Sequence, residues 1–92
     1  MEIRFQNRAL AELDALSVVE RQRLLRRLEQ LRASWGHPHL HAGLGLRKIG
    51  FDLYEIRMGL KIRVVFLRKP PDLVAVCIGN HDDVEKWKKQ NT

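Results

Sequence analysis

The sequence predicts a single α+β domain: an N-terminal strand, a helical hairpin, an antiparallel sheet meander and a short C-terminal helix. Three observations carry that prediction. Apolar residues recur at three- and four-residue spacing between residues 8 and 35, then at two-residue spacing from 46 to 78. The chain has 92 residues, enough for one core, because two would each need roughly 50 residues or more. No Pro-, Gly- or Ser-rich linker, internal repeat or low-complexity tract divides it, so residues 1–92 read as one domain.

Each element has its own signal. Residues 2–6 alternate polar and apolar around Ile3 and Phe5, the pattern of a short half-buried strand. Asn7 offers a cap for a helix over 8–16, whose apolar side is Ala9, Leu10, Leu13 and Leu16. Ser17-Val18-Val19-Glu20 is a capping box, in which hydroxyl and carboxylate each satisfy an amide that the first turn leaves unpaired. The helix it opens carries Leu24, Leu28, Leu31 and Trp35 on one stripe with Leu25 beside it, and Arg21, Arg23, Arg26, Arg27 and Arg32 elsewhere. Two helices so closely joined form a hairpin that must bury its stripes against a sheet. Gly36-His37-Pro38 ends the second helix, and the His- and Gly-rich stretch up to Gly45 reads as a loop.

Three strands follow: residues 46–49 running on through 53–58, then 62–67, then 73–78, separated by Gly59-Leu60-Lys61 and Pro70-Pro71-Asp72. A three-residue first connection sets Met58 against Ile62, Ile56 against Val64 and Tyr54 against Phe66, which gathers one apolar face. The same register places Arg57 beside Arg63 on the other face. Asp82-Asp83 then opens a last helix through Val84 and Trp87, with Lys86, Lys88 and Lys89 late in it, where the helix dipole favours cations.

Composition narrows the function classes. Seventeen Lys and Arg against 11 Asp and Glu give a formal charge of +6, and both halves share the excess. Such a domain suits phosphates or an acidic protein partner. A single cysteine, Cys77, allows no intramolecular disulfide, implies a reducing compartment and reads as inert packing within its strand. The longest apolar run, residues 73–78, is far short of the roughly 18 residues that span a bilayer. The first residues do not resemble a secretory leader, so the expectation is no membrane contact and a cytoplasmic location.

The pair Arg57 and Arg63, helped by Arg47, Lys48 and Lys61, would make a basic floor for a phosphate, since each guanidinium can bond two oxygens at once. The alternative is a solvated outer face with Glu55 as local partner. His81, after Gly79-Asn80 and before Asp82 and Asp83, would sit at a strand end with carboxylates in reach to orient it for proton transfer. It could equally belong to the turn and cap of the last helix. Trp87, flanked by Lys86 and Lys88, would stack on a base or pack its helix down. His37, His39 and His41 alternate but match no standard zinc spacing, so no metal and no cofactor are expected. No Gly-rich phosphate loop, cysteine cluster or nucleophile elbow appears.

The segments Gly45-Leu46-Arg47-Lys48-Ile49, Leu53-Tyr54-Glu55-Ile56-Arg57, Ile62-Arg63-Val64-Val65-Phe66 and Ile78-Gly79-Asn80-His81-Asp82-Asp83-Val84 resemble the RelE/ParE superfamily of toxin–antitoxin toxins. The order of elements matches over nearly the whole chain. The resemblance implies a twisted antiparallel sheet whose open face holds the site, and a toxin that cleaves mRNA on the ribosome and inhibits translation. It implies Arg57 and Arg63 on the scissile phosphate and His81 as proton carrier, as in the histidine-using branch similar to YafQ, with Asp82 or Asp83 orienting it. Arg47, Lys48, Lys61, Lys86 and Trp87 would bind RNA. The implied partners are an acidic antitoxin, the ribosome and mRNA. Two alternatives stay open: a ParE-like inhibitor of DNA gyrase, and an inactive homologue that only binds an antitoxin or nucleic acid. Glu55 departs from the RelE type, which is basic there, and the last helix lacks the tyrosine of that type.

Overall fold

A computed structural model describes residues 1–37 and 45–91. His39 and His41, and most of the loop that holds them, lie outside the described residues. In chain order the elements are β1 (Ile3–Phe5), α1 (Asn7–Asp14), α2 (Val18–Ser34), β2 (Arg47–Gly50), β3 (Leu53–Met58), β4 (Ile62–Lys69), β5 (Asp72–Gly79) and α3 (His81–Asn91). The strands form one sheet in the order β1-β5-β4-β3-β2. Strands β2 to β5 are the antiparallel meander, whereas β1 returns to pair parallel to β5, with Ile3 opposite Leu73. The sheet is therefore mixed.

The expected hairpin register is present, including Arg57 opposite Arg63. The Ser17–Glu20 capping box also forms, with Ser17 Oγ accepting from the Glu20 amide at 3.1 Å and Glu20 Oε1 from the Ser17 amide at 3.3 Å. Three local expectations change. Residues 46–58 are not one running strand but a hairpin, turned at Phe51-Asp52, where Asp52 adopts φ 54°. Aspartate tolerates this left-handed conformation better than most residues, so the turn needs no glycine or proline to mark it. Asn7 lies inside α1, and its N-cap is Gln6 without a side-chain cap bond. The last helix starts at His81, one residue earlier than expected.

Helices and sheet make two apolar layers. Leu13 of α1 and Leu24, Leu28 and Leu31 of α2 pack on Ile56, Val64, Phe66, Leu73 and Ala75. Each such side chain contributes about 1.5–3 kcal/mol when fully buried. Trp35, at the end of α2, meets Tyr54 edge-on with ring centroids 5.1 Å apart. On the opposite face Val84 and Trp87 of α3 pack on Leu53, Val65, Val74, Val76 and Cys77. Helix α3 sits mainly over β4 and β5, and on that face Arg47 of β2 and Arg57 of β3 are exposed.

A bulge in β5 sets the phase of this face. Val65 pairs with Cys77 and Phe66 with Ala75, so Val76 is the extra residue. Val76 and Cys77 consequently share the α3 side instead of alternating. The Ile78 amide beside the bulge donates to Glu12 Oε1 of α1 at 3.0 Å. Burial, with a smaller push from Glu12, raises the Cys77 thiol from 9.0 to about 11. The unfolded chain releases this proton first, so stability is intact below pH 9 and falls as pH rises toward 11. Cys77→Ala is expected to abolish that alkaline decline in urea titrations, and the native thiol to resist iodoacetamide until the chain unfolds.

Candidate phosphate-binding site

Alternation along β3 turns Leu53, Glu55 and Arg57 toward the α3 side, and pairing brings Arg47 beside Glu55 and Arg63 beside Arg57. Three guanidinium groups thus converge on one carboxylate oxygen. Arg63 Nη1 lies 3.5 Å from Glu55 Oε1, Arg57 Nε 3.6 Å and Arg47 Nη2 3.9 Å. Glu55 is the local partner that the solvated-face alternative expects, but at 2% exposure it is buried rather than solvated. A carboxylate can stay buried when charged donors replace its water. The Arg63 side chain is 15% exposed, whereas those of Arg57 and Arg47 are about half exposed at 48% and 57%. The cluster carries two positive charges beyond the one that Glu55 neutralises. Its outer guanidinium donors remain available to an anion arriving from solvent.

The end of β5 closes one side of this cluster. Gly79 is the Cα partner of Arg63, and a Cβ there would stand 2.6 Å from Asp83 Cβ. Only glycine lets the first turn of α3 press so closely on the strand. Asn80 caps that turn reciprocally: Asn80 Oδ1 accepts from the Asp83 amide at 2.8 Å, and Asp83 Oδ2 accepts from the Asn80 amide at 2.9 Å. His81 follows as the first residue of α3, exposed, two residues beyond the partner of Arg63.

The expected site residues divide accordingly. Arg47, Arg57 and Arg63 come together, and His81 lies at the same end of the sheet. Asp83 is committed to the helix cap, and neither Asp82 nor Asp83 pairs with His81 among the described residues. Lys48 pairs with Tyr54, so alternation turns it to the α2 side, away from the arginines. Lys61 is exposed in the β3–β4 turn, beside a groove that includes Glu20 and Arg23 of α2. Lys86 is exposed on α3. Trp87 is 9% exposed and packed into the apolar layer, so it is a packing residue rather than an open stacking platform. Glu55 is expected as a local partner of the arginines; what the sequence does not signal is its burial, at 2% exposure, as the counter-ion shared by all three. Among the described residues no group of three His, Cys, Asp or Glu could hold a metal ion, and no helix is long and apolar enough to cross a membrane.

No family model matches the sequence, and no curated protein does. Solved structures do match. A chain of the RelB–RelE antitoxin–toxin complex from Methanococcus jannaschii superposes with a TM-score of 0.71 at 16% identity, covering 91% of this chain and 96% of that one. The intact E. coli RelBE toxin–antitoxin complex gives 0.65 at 22% identity, covering 85% and 93%. The YoeB/ParE toxin from Agrobacterium tumefaciens gives 0.60 at 17% identity, covering 88% and 99%.

Proposed function

Starting from the RelE/ParE toxin fold that these similarities establish, we propose that the chain is a toxin that cleaves messenger RNA on the ribosome. The observation that carries the reading is the cluster of Arg47, Arg57 and Arg63 on an open face of the sheet, with His81 at its end. In the proposed reaction a ribose 2′-oxygen attacks the adjacent phosphorus, and the bond to the next nucleotide's 5′-oxygen breaks. Negative charge grows on the non-bridging oxygens during that step, where positioned cations lower the barrier most. Arg57 and Arg63 serve that purpose. His81 moves a proton, either accepting it from the 2′-hydroxyl or giving it to the leaving oxygen. The RelE structures from M. jannaschii and E. coli include antitoxins, and a formal charge of +6 suits an acidic antitoxin as partner here as well.

Ribosomes programmed with a defined mRNA provide the test, with cut sites read by primer extension at equal protein concentrations. The wild type is expected to produce new 5′ ends in register with codons. Arg63→Ala is expected to slow cutting about 10²–10³-fold, and His81→Ala about 10²–10⁴-fold, with both variants still folded by circular dichroism. Growth arrest with DNA damage and no cut transcripts would replace this reading with gyrase inhibition. Neither effect would leave a homologue that only binds.

A further inference from the structure

The exposed strip of the sheet continues past the arginines. Beyond Glu55, at the Leu53 end of β3, a groove of ≈ 390 Å³ is walled by Ile49, Leu53, Leu67, Val76 and Trp87, with Lys88 at its edge. Phe51 forms the rim and is 90% exposed. Its display is structurally enforced: the Asp52 carbonyl accepts the Arg68 amide at 2.7 Å, the Asp52 carboxylate faces Arg68 Nη1 at 3.5 Å, and Asp52 holds φ 54°. A left-handed turn pinned by its neighbours thus keeps an aromatic ring in water beside an apolar groove, a contiguous exposed apolar surface of the kind that marks a binding site.

We propose that this groove takes a nucleobase of single-stranded RNA, stacked on Phe51 against the apolar wall, while the backbone of the same strand crosses the Arg47–Arg57–Arg63 cluster. The inference rests on the RNA-cleaving reading. Single-stranded nucleic acid alternates an anion with a flat π-face, and basic grooves with exposed aromatics bind it by matching both. Here the two features lie on one face of one strand. Leu53 and Arg57 are four residues apart on β3, a separation of roughly 13 Å. Ile49 and Arg47, by contrast, are two residues apart on β2, roughly 7 Å, so the stacked base adjoins a phosphate at Arg47 and lies beyond the one held by Arg57 and Arg63. The groove makes Phe51 a determinant of sequence context outside the cleaved step.

The test uses a short fluorescein-labelled single-stranded RNA with 2′-O-methyl sugars, which cannot be cut, and follows its anisotropy at several salt concentrations. Phe51→Ala is expected to weaken binding roughly ten-fold with an unchanged salt dependence, and Phe51→Trp to retain it. Arg63→Ala is expected to weaken binding and lower the salt slope by about one. An abasic substitution at one position of the probe should erase the difference between wild type and Phe51→Ala. Equal affinity of wild type and Phe51→Ala, with Arg63→Ala still impaired, would overturn the subsite, leave RNA binding intact and reassign the groove to a protein partner. No Arg63-dependent binding by the wild type would overturn the RNA reading and the subsite with it.

Discussion

Glu55→Ala is expected to destabilise the protein by about 3 kcal/mol and, at the same time, to tighten its hold on phosphate. The carboxylate is the shared counter-ion of Arg47, Arg57 and Arg63, all within 3.9 Å of one oxygen. Removing it leaves three like charges on adjacent strands. Arg63, at 15% exposure, suffers most because water cannot fully replace the lost partner. Arg47 and Arg57 can turn outward, which places the expected loss at the lower end for a broken buried pair. The local charge also rises by one, so an arriving anion meets a stronger field and displaces no carboxylate. Urea denaturation of wild type and Glu55→Ala, with and without inorganic phosphate, separates the two effects. Phosphate should raise the midpoint of the variant more than that of the wild type, since a ligand that binds only the folded state stabilises in proportion to its affinity. Equal midpoints in the two proteins without phosphate would show that Glu55 does not hold the arginines together.

Trp87→Ala is expected to cost about 3–5 kcal/mol, the usual range for truncating a buried aromatic. The damage should concentrate in α3. This helix has 11 residues, below the roughly 12–15 at which isolated helices become even marginally stable in water. Its anchors are Val84 and Trp87, so losing the larger one lets the helix leave the sheet. His81 goes with it, while Arg47, Arg57 and Arg63 stay on β2, β3 and β4. RNA affinity should therefore fall about as far as in Phe51→Ala, because Trp87 also walls the base groove, while cleavage should fall further. Amide exchange of α3, measured where the variant is still mostly folded, checks this: residues 84–91 should lose protection well before the core of β4. Uniform loss across the molecule would mean that α3 and the sheet unfold as one unit.

The arginine pair was legible in the sequence because only one hairpin register keeps Tyr54, Ile56 and Met58 on the same side as Phe66, Val64 and Ile62, and that register forces Arg57 beside Arg63. The capping box at Ser17 and the apolar stripe of α2 were legible for the same reason, since each is set by spacing along a single element. What escaped depends on long-range placement. Nothing local shows that a lone glutamate among basic residues ends up 2% exposed, because its burial requires β2 and β4 to deliver Arg47 and Arg63 from either side. Lys48 sits one residue from Arg47, yet the period-2 pleat sends it to the other face. The Phe51-Asp52 turn lacks glycine and proline, so two strands read as one. The bulge at Val76 is invisible in a run of apolar residues, and with it the side on which Cys77 lies.

The parallel pairing of β1 with β5 has a consequence for how the chain comes off the ribosome. Ile3 must find Leu73, and closing so long a loop carries an entropy of roughly 4 kcal/mol beyond the constant term. At ordinary rates of synthesis, β1 waits roughly 4–14 s, and the completed helical hairpin roughly 2–9 s, for β5 to be made. During that interval the apolar stripes of α1 and α2 have no sheet to cover, because their binding surface on β3, β4 and β5 is still being translated. The arginine cluster and His81 belong to the same late half. The nascent chain thus passes roughly half of its synthesis as a helical hairpin with uncovered apolar stripes and no completed anion site.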